Sequence, residues 1–283
     1  MALRRATEGD LRVFISIDLE GCSGICHPRQ TVPGEPSYAV ARRLMRANLE
    51  AVLEGCRAAG VECAVVCDAH ARGANLEWHD LPAWVTLVAG APQPQGMMSG
   101  VDDGFDAALL VGYHAMAGTR AAVLDHTFTQ KVFRIRVDDA LESGELGLNA
   151  AVAGAFGVPV VFASGDDKLA VEAGEAIPGV RSAAVKHGVA RSGARLLAPE
   201  IAAERLRTGV REALEAGERP LPLAWDERPL RVVFTRSDYC DSAAACPGVE
   251  RVDARSVRID EPTYLQAYHC LVACLRLAAT AIA

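Results

Sequence analysis

Val13-Phe-Ile-Ser-Ile-Asp-Leu-Glu-Gly21 is an apolar, β-branched run that ends abruptly in two carboxylates and a glycine. It reads as a buried strand with acid at its carboxyl end. Residues two apart on a strand point to the same side, so extended backbone as far as Glu20 would aim Asp18 and Glu20 into one small volume. Two unpaired charges there would repel at the edge of a low-dielectric core, and a divalent cation between them resolves the conflict. Taken alone, the segment also allows Asp18 as a helix cap with Glu20 in water. Later strands favour the first reading, because they end in the same way.

Val61-Glu-Cys-Ala-Val-Val-Cys67 is a second apolar run and passes directly into Asp68-Ala-His70. Between the two runs, Tyr38 to Gly60 carries apolar residues at helical spacing and stops at glycine. Strand, helix, strand at this length is a βαβ unit, with parallel strands and a right-handed crossover. Trp84 to Val88 and Ala107 to Val111 read as further strands, the latter running into Gly112-Tyr-His114, and Phe133 to Val137 alternates like a half-exposed antiparallel strand. Glu145 opens an alanine-rich helix to Gly157, followed by a buried strand from Val158 to Ala163. Helices are expected near Asp167 to Ile177 and Pro199 to Ala216, an apolar segment near Val180 to Val185, strands near Leu230 to Thr235 and Val249 to Ile259, and a last helix from Tyr264. The expected fold class is α/β: a mostly parallel sheet with helices on both faces, plus a smaller C-terminal α/β lobe. The Pro-rich stretch from Gly217 to Pro229 sets the expected boundary, with residues 1–217 as the metal-binding catalytic domain and 218–283 as C-terminal strands and helix.

Composition narrows the function classes. With 51% hydrophobic and 23% charged residues, a chain of this length has ample material for a core. A net charge of −7 without any basic run argues against nucleic acid or an anionic membrane as the main partner. Met1 to Asp10 contains no continuous apolar stretch of the kind that starts an export signal, so the expected location is cytoplasmic. The apolar segment from Tyr264 onward is interrupted by His269 and Arg276 and reads as a packed helix rather than a membrane span. The nine cysteines read as buried, reduced thiols. Cys22 and Cys26 flank Ser-Gly-Ile beside the acids, but their spacing is not CxxC and the neighbouring oxygen donors suit harder metals. Cys270 and Cys274 stand at core spacing on the last helix. Lys131, Lys168 and Lys186 are the only lysines, a bias to which the sequence attaches no mechanism.

Asp18 and Glu20, Asp68 and His70, and His114 each follow a separate apolar strand, and open parallel sheets bind ligands beyond the carboxyl ends of their strands. Glu145 begins a helix that could point back into the same crevice. Carboxylates and imidazoles in this number suit two zinc-type ions if one carboxylate bridges.

Ser16-Ile-Asp-Leu-Glu-Gly-Cys-Ser-Gly24, Asp68-Ala-His70, Gly112-Tyr-His114, Asp125-His126 and Gly144-Glu-Leu-Gly-Leu-Asn-Ala150 resemble, in order and spacing, the motifs of the D-aminopeptidase family of zinc peptidases. The similarity continues through Ala163-Ser-Gly-Asp-Asp167 and Ala184-Val-Lys-His-Gly-Val-Ala-Arg-Ser192. The resemblance implies a pair of zinc ions (Zn, two per chain), with Asp18 as the bridging carboxylate. Glu20 and His70 are then further ligands of one ion, His114 and Glu145 those of the other, and His126 is a catalytic residue that is not a ligand. It also implies hydrolysis of short peptides with a D-residue at the amino terminus, and a homo-oligomer, a ring-shaped decamer with its sites facing an inner channel. Two other classes fit the same residues: a binuclear metal phosphoesterase, and a non-catalytic metal-loaded scaffold subunit in which His126 has no task.

Overall fold

The computed structural model describes residues 11–281, so the reading of Met1 to Asp10 lies outside the described residues. In chain order the elements are β1 (Leu11–Ile17), α1 (Pro36–Ala58), β2 (Val61–Asp68), β3 (Val85–Val88), β4 (Ala107–Val111), β5 (Val132–Val137), β6 (Leu141–Glu142), α2 (Glu145–Ala155) and β7 (Val160–Asp166). There follow α3 (Asp167–Ala176), β8 (Arg181–Ala190), β9 (Gly193–Leu196), α4 (Pro199–Glu215), β10 (Leu230–Phe234), α5 (Ser237–Ala243), β11 (Val249–Arg251), β12 (Ser256–Ile259) and α6 (Tyr264–Ala278).

The larger sheet has the order β3-β2-β1-β4-β7-β8-β9, parallel throughout except for the β8–β9 hairpin. Its alternation divides the core in two. Val13, Ile15 and Ile17 pack with α1 and α4 on one face, whereas Phe14, Leu110 and Ala163 pack with α2, α3 and α6 on the other. Burial on both faces is why these strands read as unbroken apolar runs. The chain moves outward from β1 through β2 to β3, then returns to β4 on the opposite side of β1. The strand order therefore reverses between β1 and β4, which is where a doubly wound sheet opens a crevice.

The helix boundaries follow local chemistry. Pro36 stands in the first turn of α1, and Gly60, with φ +82°, lies just past its end. Asp166 caps α3 through the amides of Lys168 and Leu169, and Thr263 and Gln266 form a capping box on α6. No described helix is long and apolar enough to cross a membrane.

The second sheet, β11-β12-β10-β5-β6, is antiparallel throughout. Strand β5 follows its alternation at Ile135 and Val137, both buried, but not at its start: Phe133, expected on the same face, is exposed and Val132 is buried instead, where the ladder with β10 shifts register. Its partner β10 is supplied about a hundred residues later, so the sheet draws strands from both sides of residue 217. Helix α5 and the short strands β6 and β9 carry no pattern strong enough to have been read from the sequence.

Candidate metal centre

Three neighbouring strands deliver side chains to the crevice at the strand reversal. Ile17 lies opposite Asp68 of β2 and Val111 of β4 in the two parallel ladders, so Asp18, His70 and His114 all lie just beyond the carboxyl edge. The extended backbone stops at Ile17, so the expected strand alternation does not carry Glu20. A turn does. Gly21 donates its N–H to Gly112 O at 2.8 Å, and a Cβ on Gly21 would stand 1.8 Å from Tyr113 O, so only glycine permits this approach. Lys186 on β8, fully buried, fixes the turn by donating from Nζ to the carbonyls of Glu20 (2.5 Å), Cys22 (2.9 Å) and Ile25 (2.7 Å).

Two groups of three ligand-type side chains result: Asp18, Glu20 and His70, and His114, His126 and Glu145. His70 Nδ1 lies 3.2 Å from Asp18 Oδ1 and 2.9 Å from Glu20 Oε2, and His114 Nε2 lies 3.2 Å from Glu145 Oε1. Asp18 faces both groups, because its Oδ2 is 3.6 Å from His114 Nε2. His126 stacks on His114 with ring centroids 4.0 Å apart and planes within 9°. Five of these six residues are buried and His126 is half-buried.

Whether the residues suit metal can be tested on their hydrogen bonds. His70 Nε2 points at Thr31 O, His114 Nδ1 at Ala115 O and His126 Nδ1 at Leu124 O. A carbonyl only accepts, so each of these nitrogens carries a proton and the other nitrogen turns inward, the side from which a metal-ligating histidine coordinates. Glu20 Oε2 and His114 Nε2 are buried and make no hydrogen bond, although each has an opposite charge nearby. Atoms that close without being aligned are directed at a shared point rather than at each other. The donor set, oxygen and imidazole nitrogen, is that of zinc.

The electrostatics show how much positive charge the carboxylates demand. Burial alone would lower the pKa of His70, but Glu20 and Asp18 outweigh it and raise it to about 12. His114 is likewise raised to about 10, mainly by Glu145 against the burial penalty. Glu20 is held far below the carboxylate range by His70 despite its burial, whereas burial and Glu20 together push Asp18 up to about 7. His126 moves the other way. Burial and the neighbouring His114 lower it, so its inward nitrogen is free of a proton at neutral pH.

His126 sits in a strained loop. Ala121, Leu124 and Phe128 all adopt φ between 55° and 59°, a region that costs non-glycine residues roughly 1 kcal/mol or more each. One restraint is visible: the Phe128 amide donates to Glu145 Oε1 at 2.5 Å, tying the loop to the first residue of α2.

Asp68 does not join the ligands. It accepts from Asn75 N, Asn75 Nδ2 and Leu76 N and anchors the loop that follows His70. Asp125 likewise binds the Gly118 amide and Arg191. Cys22 donates its thiol to Asp18 O, and neither it nor Cys26 belongs to a ligand group among the described residues. The residues missed from the sequence are Lys186 and Glu172. Burial raises the Glu172 pKa to about 7, its Oε2 accepts from the Met116 amide, and its Oε1 is buried without a partner beside Gly144. An acid at the sixth position of an otherwise ordinary helix gave no signal of this.

Residues 11–273 match the family described as D-aminopeptidase. The chain is similar to a D-aminopeptidase of Bacillus subtilis (strain 168), 33% identical over 270 residues that span 95% of this chain and 98% of the relative. Among solved structures it is similar to the Zn-dependent D-aminopeptidase DppA from Bacillus subtilis, a self-compartmentalizing protease. That likeness has a TM-score of 0.92 and 31% identity and covers 95% of this chain and 98% of the other.

Proposed function

Since this chain belongs to the D-aminopeptidase family, we propose that it is a zinc-dependent aminopeptidase removing an N-terminal, D-Ala-like residue from short peptides or amides. One observation carries the reading: two buried ligand groups meet at Asp18, whose two oxygens face an imidazole of each. Asp18 is the candidate bridge, with Glu20 and His70 completing one zinc site and His114 and Glu145 the other. When bound, zinc polarises the scissile carbonyl and activates water. The other tasks fall to the chain. Backbone carbonyls orient the three imidazoles, and the buried walls exclude bulk water. His126, neutral and aimed inward, takes a proton at Nε2 and delivers it to the leaving amine. Neither a phosphoesterase nor a scaffold gains support from the family match.

Stereochemistry follows from three fixed points. If the carbonyl, the free ammonium and the Cα substituent are each held, an L-residue must misplace one of them, which costs orders of magnitude in rate when it strands a charge. The setting proposed is reducing and cytoplasmic, supported by nine cysteines that are all unpaired. The assembly proposed is a homo-oligomer, a decamer enclosing the centres, by extension from a solved relative described as self-compartmentalizing. The test is to strip the purified chain of metal, reload it with zinc, count the ions and compare D-Ala with L-Ala amides. About two zinc per chain held by these carboxylates and imidazoles and at least about a tenfold preference for D, roughly 1.4 kcal/mol in the transition state, are expected. Equal rates would remove the D-peptide assignment, and turnover by verified metal-free protein would overturn the zinc reading.

A further inference from the structure

Outside this centre, three sulfurs converge. Cys270 and Cys274 stand four apart on α6 and therefore share one face, and Cys246 meets them from the turn after α5. That turn is well tied. The Cys246 amide donates to Ala243 O at 3.0 Å, Cys246 O accepts from the Val249 amide, and Gly248 with φ +80° closes it. Cys246 and Cys274 are buried and Cys270 is partly exposed, so the cluster lies at the edge of the core and has an entry side. All three sulfurs lie within 4.8 Å of one another, and Cys246 Sγ is 4.0 Å from Cys270 Sγ. Two thiolates on a tetrahedral zinc, with Zn–S about 2.3 Å, stand about 3.8 Å apart, whereas a disulfide requires about 2.05 Å. The observed spacing is too long for a bond and leaves the sulfurs placed as two thiolates on one cation would be. Glu261 stands beside the same turn, its Oε1 3.2 Å from where a Cβ on Gly248 would be.

We propose that Cys246, Cys270 and Cys274 form a second, sulfur-lined metal site that takes a thiophilic divalent cation of the zinc class. Three thiolates supply three of the four ligands of tetrahedral zinc and leave the fourth to water on the exposed side, and the soft donors separate this site from the oxygen and nitrogen centre. Binding releases the thiol protons, so the site fills more readily as pH rises. Its structural consequence is to clamp the α5 turn to α6. The other face of α6 carries Tyr264 and Tyr268, whose hydroxyls donate to Leu148 O and Asn149 Oδ1 of α2, the helix that begins at Glu145. The inference stands independently of the peptidase reading.

The experiment is zinc-edge X-ray absorption on the reduced, full-length, zinc-saturated protein, paired with metal counting on Cys270→Ser and Cys246→Ser. A sulfur shell near about 2.3 Å is expected in the parent, together with one zinc fewer per chain in each variant. Hydrolysis of the D-Ala amide should be unchanged in variants whose circular dichroism matches the parent. The parent spectrum needs no variant to fold, and the absence of a sulfur shell there overturns the site. Unaltered metal content in a folded Cys270→Ser does the same.

Discussion

Replacing Lys186 by Met keeps most of the side-chain volume and removes the ammonium from three buried carbonyls, those of Glu20, Cys22 and Ile25. Each orphaned acceptor costs roughly 1–3 kcal/mol, about 6 kcal/mol for three at mid-range. Against this, the buried charge is itself unfavourable. Burial lowers the Lys186 pKa from 10.5 to about 8, a penalty of roughly 3 kcal/mol that the variant escapes. The difference predicts a loss of about 3 kcal/mol, read as a lower urea midpoint at unchanged slope. Because the released turn carries Glu20, zinc should be lost first from the Asp18, Glu20 and His70 group, so metal titration should show one weakened site and one intact. A Lys186→Met protein within 0.5 kcal/mol of the parent, with two unaltered sites, would refute the view that this ammonium holds the turn.

His114→Ala should lose metal and activity together, whereas His126→Ala should retain zinc and lose most turnover; zinc loss in the second variant would make His126 a ligand. In chelated protein the raised His70 and His114 contribute stability that is complete below their unfolded pKa of about 6.5 and is lost as pH rises toward about 10 and 12. The thermal midpoint of the chelated form should therefore fall between pH 7 and pH 10, and a rise there would contradict the ion pairing described. Zinc-loaded protein should instead lose metal and activity on the acid side, where protons compete for the same nitrogens. Gly21→Ala forces a methyl against Tyr113 O and should cost about 3 kcal/mol or abolish folding, as measured by urea unfolding.

Most of the larger sheet was legible because its strands are covered on both faces and so read as continuous apolar runs that end in charged residues. That pattern located Asp18, His70 and His114, and the helix start located Glu145. The route to Glu20 was not legible. Strand periodicity suggested it, but the strand stops at Ile17 and a glycine turn locked by β8 brings the carboxylate back. Lys186 and Glu172 act through contacts made across the fold, and nothing in the local sequence distinguishes them from solvated charges. The pairing of β5 with β10 was hidden for the same reason, since antiparallel partners a hundred residues apart leave no local signature.

The lysine that fastens the Glu20 turn lies 166 positions after Glu20. At ribosomal rates of about 5–20 residues per second, that separation corresponds to roughly 8–33 s between the appearance of the acid and of its clasp. During this interval the nascent chain displays Asp18, Glu20 and His70, but the turn that aims Glu20 has nothing to close on until β8 has docked. Early acids are thus poor chelators on the ribosome. On the proposed zinc assignment, capture by the Glu20 group would wait until β8 has docked, so an ion there would mark a polypeptide whose parallel strands are already assembled.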